Sequence, residues 1–121
     1  MTNQFLIVAG EASSEMYGAE VVVALRRRFT NPYIYGLGGQ RMCEEGVDLV
    51  ANIRQTAVVG LFEAVSHFGV LYSVFRRLVS RIEDNPPDAA ILIDFPDFNL
   101  RLASRLKAAG IPVIYYISPQ V

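Results

Sequence analysis

The run Ala89-Ala90-Ile91-Leu92-Ile93, followed at once by Asp94-Phe95-Pro96-Asp97-Phe98-Asn99, decides the fold class. Five apolar side chains in succession leave no polar face, and a strand of that kind belongs in a parallel sheet covered by helices on both sides. The segment after it abandons the apolar pattern for two carboxylates and a proline, and reads as a loop at the carboxyl end of the strand. Upstream, Val59 to Glu83 repeats its apolar positions Leu61, Val65, Phe68, Tyr72, Phe75, Val79 and Ile82 in steps of four and three, a helical period. Downstream, Leu100 to Ala109 reads as a helix stopped by Gly110, and Ile111 to Ile117 as another buried strand.

The amino-terminal part has the same grammar. Gln4 to Ala9 is a strand ended by Gly10, a helix runs from about Ser14 to Phe29, and Tyr33 to Leu37 is a second strand closing on Gly38-Gly39. Arg41 to Glu45 reads as a short helix, and Val47 to Ala51 as a weaker third strand. Strands and helices alternate throughout, so the expected fold is an open parallel Rossmann-like α/β sheet with helices on both faces. The last strand has no helix after it, which is expected of the first part of a longer protein.

Composition narrows the function classes. The 121 residues are 52% hydrophobic and 19% charged, which excludes disorder and fits one domain. Eleven basic against twelve acidic residues give a net charge of −1, which disfavours nucleic acid as a partner. A single cysteine, Cys43, and a single histidine, His67, provide neither a disulfide nor a metal cage. The start lacks the basic region of a secretory signal, and no uncharged stretch reaches the roughly 18 residues of a membrane span.

Ligands of open α/β sheets bind beyond the carboxyl ends of the strands, so the loops there are the candidates. In the first, Gly10 permits a tight turn, Ser13 and Ser14 suit helix capping, and Glu11 suits hydrogen bonds to sugar hydroxyls better than a phosphate, which it would repel. Simple capping and solvation account for this loop equally well. The second, Gly36 to Arg41, offers three glycines for close backbone approach and Arg41 as a cation for a phosphate, although glycine turns also arise for steric reasons alone. The third is the most informative. Asp94 stands at the end of an apolar strand, where a partly desolvated carboxylate is suited to general-base work. Asp97, just ahead of the helix, is placed as its N-cap.

The long helix carries Phe62, Val70 and Val74 outside its main stripe and ends in Arg76, Arg77 and Arg81. Apolar side chains beside arginines suit an interfacial helix on an anionic membrane. A core helix with a solvated basic end has the same pattern.

Five blocks, Val8-Ala9-Gly10-Glu11-Ala12-Ser13, Gly38-Gly39-Gln40-Arg41-Met42, Ala57-Val58-Val59-Gly60-Leu61-Phe62-Glu63, Ile93-Asp94-Phe95-Pro96-Asp97-Phe98-Asn99 and Tyr115-Tyr116-Ile117-Ser118-Pro119, resemble lipid-A-disaccharide synthases in order and spacing. The resemblance implies the N-terminal, acceptor-side half of a glycosyltransferase-B arrangement, residues 1–121, with the donor-binding half outside this chain. It further implies an inverting transfer of 2,3-diacylglucosamine from UDP to 2,3-diacylglucosamine 1-phosphate, without a cofactor or metal. The enzyme would sit peripherally on the cytoplasmic face of the inner membrane of a Gram-negative-type bacterium. Carried over by position, Asp94 becomes the base that takes the proton of the acceptor 6-hydroxyl, and Glu11, Ser13, Asp97 and Asn99 line the same cleft. Two departures stand out: Ser14-Glu15 replaces the family's usual Gly-Asp, and Gln40 stands where proline is common. The competing expectations are an isolated non-catalytic α/β module that binds a sugar phosphate or a partner, and a flavodoxin-like nucleotide enzyme, which the glycine loop disfavours.

Overall fold

The computed structural model describes residues 2–53 and 64–117, with the side chains of 64–68 left aside. Its elements in chain order are β1 (Gln4–Ala9), α1 (Ala12–Arg28), β2 (Tyr33–Gly38), α2 (Gln40–Glu44), β3 (Asp48–Asn52), α3 (Ala64–Asp84), β4 (Ala89–Ile93), α4 (Pro96–Ala108) and β5 (Val113–Tyr116). The sheet is wholly parallel, in the order β3-β2-β1-β4-β5.

Alternation along the strands sends side chains to two cores. Leu6, Val8, Tyr35, Leu37, Ala90 and Leu92 pack with α3 and α4. Phe5, Ile7, Ala9, Ile34, Ile91 and Ile93 pack with Val22 of α1 and Met42 of α2. The expected doubly covered sheet is therefore present, and β1 and β4, buried on both faces, are its centre.

Three expectations change. The last strand is shorter than Ile111–Ile117, and within this chain β5 stands at the edge of the sheet with Ile114 56% exposed. The helix after β4 begins at Pro96, not at Leu100, because proline at the first helical position has its φ preset and no N–H to leave unsatisfied. On α3, Tyr72 of the expected stripe is 65% exposed, while Val74 is in the core beside Leu78 and Ile82, and Val70 packs against that core. Contact with the sheet and with α4, where Phe75 meets Phe98 edge-on with ring centroids 5.5 Å apart, sets which part of a wide apolar arc turns inward.

Two of the three arginines of α3 are engaged with the sheet. Arg81 pairs with Asp48 at 2.7 Å, hydrogen-bonds the Tyr33 hydroxyl and lies 5.2 Å from the Tyr35 ring centroid. Arg77 donates to the Val50 carbonyl at 3.0 Å, and Arg76 is exposed. Val74 and Arg81 thus brace the helix on the sheet instead of facing a membrane, and Phe62 lies outside the described residues. Val74→Ser should cost about 2–4 kcal/mol of stability, read as a lowered midpoint in urea, because it removes buried methyls and buries a hydroxyl. A midpoint like that of the parent would place Val74 at the surface. Among the described residues no helix is long and apolar enough to cross a membrane.

Candidate functional site

Chain connections leave β1 toward β2 and β4 toward β5, so a crevice opens between β1 and β4 at their carboxyl ends. Ala9 pairs with Ile93, which brings Gly10 and Asp94 out side by side, and Ile93 pairs with Tyr116, which sets Ile117 beside Asp94. A cleft of about 770 Å³ lies there. Glu11 and Ser13 form one polar edge, Asp94 and Tyr115 its middle, and Phe95, Pro96, Leu100 and Ile117 an apolar wall. Leu100 and Ile117 are 59% and 73% exposed, an unusual outlay of apolar surface at the mouth of a polar cleft.

Asp94 is half-buried and, with Phe95, takes the left-handed conformation, at φ 48° and 52°. For a bulky residue such as Phe95 this is a strained backbone, costing on the order of 1–3 kcal/mol, and it persists only where its surroundings enforce it. Those surroundings are specific. The Asp94 N–H donates to the Tyr116 carbonyl at 2.9 Å. The Asp94 carbonyl accepts from Asn99 Nδ2 and from the Tyr115 hydroxyl, both at 2.8 Å. The Phe95 ring stacks on Phe98 and presses on Gly10, where a Cβ would stand 2.3 Å from the ring.

Gly10 therefore has a different role from the expected one. Its backbone does not need a positive φ; its missing side chain makes room for the ring of the neighbouring loop. Gly10→Ala should displace Phe95 and lower stability by about 1–3 kcal/mol, the usual penalty of overpacking, measured as a shift in urea midpoint. Recovery by Phe95→Ala in the same protein is expected; failure to recover would mean that the methyl meets something else.

Glu11 is the N-cap of α1, and its N–H donates to Ser14 Oγ at 3.2 Å. Ser14 and Glu15 are buried in the first turn, so the serine that replaces glycine needs no unusual backbone. The longer carboxylate of Glu15 reaches Met42, whose N–H donates to Oε2 at 2.6 Å, and so ties α1 to the start of α2. Glu11 and Ser13 are left exposed along the cleft.

Other expected site residues go elsewhere. Asn99 does not line the cleft: it is fully buried, and Nδ2 donates to the Ile93 and Asp94 carbonyls at 3.2 and 2.8 Å. Asp97 is not the N-cap, which is Phe95; it is exposed in the first turn of α4, favourably placed for the helix dipole. Asp97→Asn should change stability by less than about 1 kcal/mol, with turnover little altered, and a large loss in either measurement would give Asp97 a further role. Arg41 is exposed on α2 and does not border the cleft. The glycines before it serve internal packing: a Cβ on Gly38 would meet Met42, and one on Gly39 would meet Ile53 and Glu15.

The sequence reading missed Tyr115 as a site residue, and with it Leu100 and Ile117. Tyr115 pairs with Leu92 across β4–β5, so Tyr115 and Ile117 share the parity of Asp94, a signal available once β4 and β5 are taken as neighbours. Burial pushes the Tyr115 hydroxyl up from its ordinary value, and the Asp94 carboxylate pushes it the same way. The phenol consequently stays protonated and donating at neutral pH. Among the described residues no three His, Cys, Asp or Glu side chains come together as a metal site.

The profile of the family described as lipid-A-disaccharide synthetase matches residues 5–121. The lipid-A-disaccharide synthase of Koribacter versatilis is 49% identical over 117 residues, which are 96% of this chain and 31% of that protein. That of Myxococcus xanthus is 43% identical over 123 residues, 100% of this chain and 32% of that protein. The chain thus spans about a third of the length of the curated relatives it matches. Among solved structures, the glycotransferase of kitacinnamycin superposes with a TM-score of 0.66 at 14% identity, covering 97% of this chain and 31% of its own. A calicheamicin glycosyltransferase does so at 0.58 and 16% identity, covering 100% of this chain and 32% of its own. At such identities the likeness is one of fold.

Proposed function

The chain belongs to the lipid-A-disaccharide synthetase family, and from that membership we propose that it forms the acceptor-side half of a glycosyltransferase of lipid A biosynthesis. In the proposed reaction the cleft between β1 and β4 holds 2,3-diacylglucosamine 1-phosphate, and a second half of the enzyme, in a glycosyltransferase-B arrangement, holds UDP-2,3-diacylglucosamine. The acceptor O6 attacks the anomeric carbon of the donor, the bond from that carbon to UDP breaks, and the hydroxyl proton passes to Asp94. UDP departs as a stable anion, so one well-placed base supplies the proton chemistry. The products are the tetraacyl disaccharide 1-phosphate and UDP.

The observation that carries this reading is the two-sided cleft around Asp94. Glu11 and Ser13 offer acceptors and a donor for sugar hydroxyls, while Leu100, Ile117, Phe95 and Pro96 offer an apolar wall for an acyl chain. Arg41 and Asp97 have no part in it. Acylated substrates of this kind reside in a bilayer, so the enzyme works peripherally at the cytoplasmic face of the inner membrane.

A transfer assay with both acylated substrates tests the division of labour. The 121-residue chain alone should bind acceptor without releasing UDP, and joining it to the donor half should give disaccharide. UDP release by this chain alone in the presence of acceptor would overturn the assignment.

A further inference from the structure

Asp94 is usable as a base only if its carboxylate points into the cleft, and the backbone that aims it is in a conformation that neither Asp94 nor Phe95 prefers. Two side chains converge on the one carbonyl whose orientation defines that turn. Asn99 Nδ2 reaches the Asp94 carbonyl from the buried side and the Tyr115 hydroxyl reaches it from the cleft side, each at 2.8 Å. Resting on the reading of Asp94 as the base, we propose that Asn99 and Tyr115 are positioning residues for the transfer, a two-donor clamp on the Asp94 carbonyl that holds the carboxylate in its productive direction.

The details favour a clamp over ordinary packing. Asn99 is completely buried, and its Nδ2 serves two carbonyls of the turn while its Oδ1 has no hydrogen-bond partner among the described residues. An apolar side chain of similar size would fill the space without an orphaned oxygen, so what the amide adds is its donors. Tyr115 supplies the second donor from a neighbouring strand, across the β4–β5 pairing, which ties the turn to the sheet and not merely to its own helix. Strained residues held by over-determined contacts are characteristic of reacting centres, and a displacement of about 1 Å in a reacting group costs about a hundredfold in rate.

The test uses the complete enzyme with Tyr115→Phe, Asn99→Ala and Asp94→Asn, singly and combined. Tyr115→Phe removes one oxygen and keeps the ring, so it folds even if Asn99→Ala does not. Each clamp variant should lower kcat by about 10- to 100-fold with little change in acceptor KM. In the Asp94→Asn background the same substitutions should add almost nothing, because groups that act through one residue are not additive. Full multiplication of the effects would overturn the clamp. A second readout does not depend on Asp94 being the base: with carbonyl-labelled Asp and ¹⁵N-labelled Phe, the Asp94-Phe95 peptide resonance should move in both clamp variants while Asp97-Phe98 serves as reference. If Asp94→Asn keeps its turnover the base assignment fails, and the peptide resonance then decides: a shift in both variants upholds the clamp, and an unmoved resonance removes it.

Discussion

Asp94→Asn in the complete enzyme is expected to reduce turnover by about 10²–10⁴, with the KM for acceptor nearly unchanged. The substitution keeps the size of the side chain and its capacity to hydrogen-bond while removing its basicity. The carbonyl and the N–H of Asp94 make contacts that hold the turn, and the substitution leaves both of these backbone groups in place. A loss in KM instead of kcat would make Asp94 a binding group. Retained turnover would remove it from the chemistry altogether.

The second large effect belongs to the sheet. Gly36 has a φ of 153°, and a Cβ there would stand 1.9 Å from the Ile7 carbonyl oxygen of the adjacent strand. Backbone cannot swing away as a flexible side chain can, so Gly36→Ala should forfeit β1–β2 pairing locally and lose more than about 3 kcal/mol. Gly38→Ala is the informative companion. Its Cβ would meet the Met42 thioether, which is adaptable, and the loss should be clearly smaller. Equal urea midpoints for the two variants would mean that the close approach at Ile7 is relieved in some other way.

Gly36 also shows where reading the sequence reached its limit. Three glycines beside an arginine carry the same letters whether they admit a ligand or admit a neighbouring strand and helix, and only the register of β2 on β1 distinguishes the cases. The parallel sheet itself was legible, because uninterrupted apolar runs such as Ala89–Ile93 have a single stable setting between two helical layers. The phase of α3 was not. A wide apolar arc satisfies more than one stripe, and contacts with α4 and the sheet choose Val74 and Leu78 over Tyr72.

The candidate site was legible in part. Asp94, Glu11 and Ser13 follow from the rule that ligands bind beyond strand ends, and all three border the cleft. The family resemblance puts Asn99 in the same cleft, but it falls on the inward face of a helix that begins at Pro96, one turn earlier than its apolar period suggests. Tyr115 was passed over because its significance lies in a cross-strand partner, which a single strand does not display.

The central claim is that the cleft between β1 and β4 receives the acceptor sugar with its 6-position at Asp94. Photocrosslinking with an acceptor analogue that carries a diazirine at carbon 6 tests it most directly. The label should map to the peptides that contain Asp94-Phe95 and Tyr115, and unlabelled acceptor should compete it away. Competed labelling confined to α1 beyond its first turn, to α2 or to α3 would place the acceptor elsewhere and contradict the account.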